Sequence, residues 1–223
     1  MAFLLRVELP DVPGSLGAVA SVLGSAGADI EAIEIVEHRA DGTAVDDVLL
    51  ELPPSVLPDS LVSACHRLDG VRVLWISRYT ARASLRMDLE AVEAMTQDPS
   101  KAVVKLVELL PLTFRSDWAM ALRRRPGADG SPSVSEMVAA TPTAPDLPAD
   151  VDDWFDSDAP RLLMKHPSWA DTVLAAAPAN GLLLVLGRRG GPEILASEVA
   201  RFGHLSALAT TIAAAAAAAS VTS

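Results

Sequence analysis

Cysteine occurs once in this 223-residue chain, at position 65, so neither an intrachain disulfide nor a cysteine-based metal cluster can form. Cys65 falls on the apolar side of a predicted helix and reads as a small buried hydrophobe, not a nucleophile. Positive charge is also short. Against 29 acidic residues stand 18 lysines and arginines, a formal charge of −11, which argues against a nucleic-acid partner, since that affinity rests on cations neutralising phosphates. The three arginines at 123–125 read as the solvated end of a strand before Pro126. Long, strongly apolar runs are missing too: residues 205–220 are mostly alanine, short of the roughly 20 strongly apolar residues that cross a bilayer. Arg6 and Glu8 interrupt the one stretch that could serve as an N-terminal leader. The expectation is a cytoplasmic protein with no membrane partner.

Catalytic signatures are absent as well. His38, His66, His166 and His204 are dispersed without metal-ligand spacing, and no zinc-protease, Walker, nucleophile-elbow or dinucleotide motif occurs. The run Gly187, Arg188, Arg189, Gly190, Gly191 lacks the lysine and hydroxyl of a phosphate loop and predicts a tight turn before Pro192. Asp150, Asp152, Asp153, Asp156 and Asp158 lack the glycine and closing glutamate of an EF-hand and read as a disordered acidic loop. The chain is expected to be no enzyme and to carry no cofactor.

What the chain does hold is core-forming material. Half of it is apolar, ample for one large domain or two small ones. Phe3, Leu5, Val7 and Leu9 alternate with Leu4, Arg6 and Glu8 at the period of a half-buried strand. Leu16, Val19, Ala20 and Leu23 follow at helical spacing, with Pro13 suited to the first helical turn and Gly24 or Gly27 to the exit. Residues 30–38 are rich in β-branched side chains but alternate imperfectly. A turn at 40–43 leads to a strand through Val48, Leu50 and Leu52, then a helix from about Pro58 carrying Leu61, Ala64, Cys65 and Leu68. Residues 71–79 supply a fourth strand. The order strand, helix, strand, strand, helix, strand predicts a ferredoxin-like βαββαβ unit.

Between strand one and helix one stands DVPGSLG, residues 11–17. A strand that turns through Pro13 and Gly14 into a helix leaves outward-facing N–H groups at the positive end of the helix dipole, a natural seat for an anion. With GADIEAIEI at the second strand, this unit resembles the ACT domain over residues 3–79, its D-x-P-G-x-L core standing as Asp11, Pro13, Gly14 and Leu16. The resemblance implies a regulatory module that binds an amino acid or similar small metabolite at an edge shared by two copies, hence a homodimer. The candidate ligand residues are Asp11, Val12, Pro13, Gly14, Ser15, Leu16, Asp29, Ile30 and Ile33. Ser15 and the N–H groups of Ser15 and Leu16 would hold a carboxylate, Asp11 and Asp29 an ammonium, and Leu16, Ile30 and Ile33 a side chain. Asp11 equally suits a loop or cap role, and Asp29 a solvated strand entry.

Residues 88–110 read as helical, divided at Pro99, followed by strands at Trp118, Met120 and Leu122 and at 134–140. Residues 142–160 hold four prolines and six aspartates and predict a long acidic loop, with Trp154 and Phe155 as its anchors. Beyond it come Leu162 to Met164, a short helix at 169–176, an apolar strand at 181–187 and a terminal helix from about Leu195 ending in seven alanines. This order, and above all GLLLVLGRRGGPEILASEVARFGHLSALATTIA, resembles a GAF domain over residues 88–219, without the cysteine that attaches a bilin. The predicted fold class is α+β: an ACT domain at 1–80 and, at 85–223, a GAF-like α/β domain with a central antiparallel sheet. The expected function is a sensor that passes its signal to a downstream protein; the alternative is a ligand-free interaction module that regulates a separate enzyme.

Overall fold

A computed structural model describes residues 1–78, 84–125, 134–148 and 151–221. Tyr79, Pro126 and Asp150, part of the strand, turn and acidic-loop expectations, lie outside the described residues. The chain divides into two compact units, Met1–Ala81 and Arg82–Ser223.

In the N-terminal unit the expected order holds: β1 (Ala2–Pro10), α1 (Ser15–Ser25), β2 (Asp29–His38), β3 (Thr43–Glu51), α2 (Pro58–Cys65) and β4 (Arg72–Arg78). Every neighbouring pair is antiparallel, in the order β2-β3-β1-β4. Phe3, Leu5, Val7 and Leu9 of β1 and Val48 and Leu50 of β3 form the inner face, which buries Val19 and Leu23 of α1 and Leu61 and Cys65 of α2. Burial pushes the Cys65 thiol above its ordinary pKa, which keeps it unreactive. The imperfect alternation of β2 has a structural cause. Register shifts between Ile30 and Ala32 and between Ile35 and Glu37 insert one extra residue each. Ile30, Ile33, Ile35 and His38 thereby stay opposite Leu50, Val48, Asp46 and Ala44, on one face of the sheet.

The C-terminal unit begins with α3 (Ser84–Gln97), a 3₁₀ turn at Pro99–Lys101 and α4 (Ala102–Thr113). Five strands follow: β5 (Trp118–Arg125), β6 (Val134–Ala140), β7 (Arg161–Leu163), β8 (Thr172–Ala179) and β9 (Leu182–Arg189), closed by α5 (Ala196–Val221). They make an antiparallel sheet in the order β6-β5-β9-β8-β7. One face packs Ala119, Ala121, Ala175, Ala177, Leu184 and Leu186 against the helices, and the other packs Trp118, Met120, Leu174, Ala176 and Val185 against Val151 and Trp154 of the acidic segment. The acidic loop is therefore a cover for the sheet, with a 3₁₀ turn at Asp152–Phe155, and the disorder expected of it gives way to that packing.

Two sequence expectations fail in this unit. Residues 169–176 do not form a helix. Only Pro167–Trp169 makes a 3₁₀ turn, and the alanines beyond it lie in β8, where the buried position between β7 and β9 overrides alanine's helix propensity. The run at 187–191 is also more than a turn, because β9 continues through Arg189 and buries Arg188.

By length and composition α5 is long and apolar enough to cross a membrane: within Ala196–Ala219 an 18-residue window reaches a mean hydropathy of 1.4. It exceeds the span predicted from its alanine run because Val199, Phe202, Leu205 and Ala209 precede or begin that run and pack into the core.

Gly187 meets an indole at close range: a Cβ there would overlap the Trp118 ring. Trp118 is fully buried and held edge-on against Trp169, with centroids 5.2 Å apart, so the ring has nowhere to retreat. Gly187→Ala should destabilise the protein by about 3 kcal/mol, the upper end for overpacking a core, read as a lowered urea midpoint.

Candidate functional site

The turn after β1 is built from backbone hydrogen bonds. The Asp11 N–H donates to Gly42 O at 2.8 Å, Val12 N–H to Pro10 O at 2.9 Å and Ser15 N–H to Val12 O at 3.2 Å. Gly14 then adopts φ 98° and ψ −19°, a left-handed conformation that suits glycine, and α1 starts at Ser15 without a side-chain cap. Two expectations change here. Pro13 stands before the helix and not in its first turn, because Gly14 reverses the chain between them. The Ser15 N–H is already spent on Val12, so the donors left by helix geometry are those of Leu16 and Gly17; the helical ladder opens with Ala18 N–H on Gly14 O at 2.9 Å. Residues 11–14 are exposed, while Ser15 and Leu16 are half-buried.

Asp11 neither caps the helix nor stands alone. Its Oδ2 lies 2.8 Å from His38 Nδ1 at the far end of β2. His38 had no role in the sequence reading, and only the pairing of β2 with β3 brings it here.

A second residue missed by sequence is Asp46. The pair Asp46–Asp47 sits mid-strand in β3, so the two carboxylates point to opposite faces. Asp47 is opposite Arg6 in the register and takes a bidentate guanidinium at 2.7 and 2.9 Å. Asp46 is opposite Val7, in line with Val48 and Leu50, on the face that packs the helices. It is 2% exposed, and its Oδ1 has no hydrogen-bond partner. Burial pushes its carboxyl above the ordinary carboxylate range; His38 opposes that shift, and the charges of Asp11 and Asp47 add to it.

The remaining candidates lie elsewhere in the chain. Asp29 is opposite Glu51, itself opposite Ala2, whereas Asp11 follows Pro10, opposite Thr43. Eight strand residues separate those levels, about 26 Å, so one chain does not bring Asp29 and Asp11 together. Asp29 is exposed, Ile30 packs at the margin of the core and Ile33 is 37% exposed on the edge strand β2. Leu16 also packs at that core's margin. Among the described residues no group of three acidic, histidine or cysteine side chains is arranged to hold a metal ion.

The first four elements of the N-terminal unit, with the glycine-hinged turn into α1, are matched by a family model. The matching family is the ACT domain. The match covers residues 3–55, from β1 through β3 and the turn that follows. The matched span thus contains both the exposed turn and Asp46, and β4 completes the sheet beyond it. No curated protein matches the chain. Among solved structures, a formyltetrahydrofolate deformylase from Pseudomonas putida KT2440 is similar at 13% identity over 44% of this chain and 39% of its own, with a TM-score of 0.30. An unknown protein from Galdieria sulphuraria is similar at 11% identity over 95% of this chain and 90% of its own, also with a TM-score of 0.30. The chain therefore spans well under half the length of the deformylase.

Proposed function

We propose that this protein is a non-enzymatic, cytoplasmic regulatory sensor whose ACT domain binds an amino acid at an edge shared by two copies of the chain. The observation that carries this reading is the turn at residues 11–16, exposed through Gly14 and followed by the unspent N–H groups of Leu16 and Gly17. Those donors face an incoming carboxylate with the α1 dipole behind them. A second copy supplies what one chain holds far away: the Asp29 end of β2, an edge strand with Ile33 37% and Ile35 52% exposed. The C-terminal unit, read as a degenerate GAF-like domain, dimerises or relays the signal through its sheet and long α5 to a separate downstream protein. Ligand capture at the shared edge favours one arrangement of the dimer over another.

Isothermal titration of the full chain against the twenty amino acids tests this. At least one should bind with measurable heat, and Gly14→Asp should abolish that heat, since it sets a negative charge and a strained left-handed residue at the carboxylate's seat. No heat from any amino acid would leave the ACT domain as a ligand-free interaction module.

A further inference from the structure

We propose that Asp46 is the seat for the primary ammonium group of the small ligand, with Asp11 and His38 as its rim. This rests on the reading of the neighbouring turn as a small-ligand site. Three observations support it. Asp46 is almost wholly buried and Oδ1 is unpartnered, whereas its neighbour Asp47 is neutralised by Arg6 in two short hydrogen bonds. The fold thus supplies a hydrogen-bonded counter-charge on one face of β3, whereas the other carboxylate feels only the opposing charge of His38 and keeps an unbonded Oδ1. A desolvated carboxylate without full hydrogen bonding is costly, and the row it shares with Val7, Val48 and Leu50 would pack better with an apolar residue. Nothing in the packing repays that cost.

The surroundings select the chemistry of the missing group. The charged and titratable residues acting on Asp46 are Asp11, Asp47 and His38. His38 is the one that can become cationic, and its Nδ1 is engaged by Asp11. The local field therefore favours a cation. No three-ligand metal set is assembled among the described residues, and a compact ammonium with three donors suits Asp46 Oδ1 and the Asp11 carboxylate better than a planar guanidinium does. The helix donors of Leu16 and Gly17 would hold the acid end of the same molecule. Asp46, and not Asp29, then does the work of ammonium recognition within one chain.

The test uses the full-length protein, ¹³C-labelled at aspartate, with ethylamine as the amine probe and tetramethylammonium chloride as a control of equal ionic strength. Ethylamine should shift the Asp46 carboxyl signal and lower its titration midpoint, because a bound cation favours the ionised form; tetramethylammonium should do neither. Asp46→Asn should weaken any amino acid that binds by tenfold or more. That variant should melt no lower than the wild type at pH 7, since it removes an uncompensated buried charge. The pH sign follows: a carboxyl whose folded pKa lies above its unfolded value lowers stability as pH rises through the folded value, and Asp46→Asn should erase that decline. Unchanged amino-acid affinity in Asp46→Asn, or an Asp46 signal indifferent to ethylamine, overturns the seat. An ethylamine response without binding of any amino acid upholds the seat and overturns the amino-acid reading, whereas amino-acid binding untouched by Asp46→Asn does the reverse.

Discussion

Arg188→Met should lower the stability of the C-terminal unit by about 3–5 kcal/mol, the cost of leaving one member of a buried ion pair without the other. Arg188 is 4% exposed and Glu198 is 3% exposed, with the guanidinium 2.7 Å from Glu198 Oε1. The same guanidinium donates to Phe114 O at 2.6 Å and Arg115 O at 3.2 Å, closing the C-terminal end of α4, where carbonyls lack helical partners. It also reaches Pro192 O and Glu193 O at 3.3 and 3.2 Å, fixing the segment between β9 and α5. Glu198 completes the joint by accepting the Leu195 N–H at 3.0 Å, a glutamate in the first turn reaching back to the residue before its helix. One side chain therefore ties a strand, a helix end, a loop and a helix start. Glu198→Gln should cost less, since the amide oxygen still accepts a hydrogen bond. The double variant Arg188→Met with Glu198→Leu should recover much of the loss, because it removes both charges. Urea titration followed by tryptophan fluorescence measures all three, and a double variant as unstable as Arg188→Met would show that the backbone bonds, not the ion pair, dominate.

Arg188 also marks where the sequence stops being legible. The strand beneath it was readable from its apolar run, yet the five-residue glycine and arginine stretch read as a turn, because an arginine beside two glycines looks solvated until β5 and β8 flank it. β8 failed for the opposite reason. Ala175, Ala176, Ala177 and Ala179 have helix propensity and no β-branching, but they lie in a strand covered on both faces, where small side chains let helices and tryptophans approach.

In the N-terminal unit the order of elements followed from periodicity and turn residues, and the bulges of β2 did not, since a register shift is defined by the partner strand. The candidate site divides in the same way. Asp11 and Gly14 are local features of a turn and were visible in seven letters. Asp46 and His38 become neighbours of that turn only through antiparallel pairing, and the same pairing carries Asp29 to the other end of the sheet. Two adjacent aspartates inside an apolar strand were the available signal: a period of two must send one of them inward.

Trp154→Ala should cost about 3–5 kcal/mol, the range for deleting a large buried aromatic, and it should also free the acidic segment. Trp154 is 3% exposed, packed on the sheet face made by Trp118, Met120, Leu174, Ala176 and Val185. Its ring lies 5.8 Å from that of Trp169 and meets His166 edge-on at 6.3 Å. The backbone around it is held by Arg161, which donates to Trp154 O at 2.6 Å and to Asp153 O and Ser157 O at 3.2 Å. These bonds sit on a segment with six aspartates and four prolines, whose mutual repulsion and lack of regular hydrogen bonding favour release once the anchor is gone. Removing the indole should therefore expose the sheet face as well as empty a cavity. Trp154→Phe keeps an apolar ring in place and should retain most of the stability. The readouts are the urea midpoint and cleavage by an aspartate-directed protease, which should cut residues 152–158 of Trp154→Ala far faster than the same bonds in the wild type. A variant that loses stability while its loop stays as resistant as the wild type would show that Val151 and Arg161 hold the cover without the tryptophan.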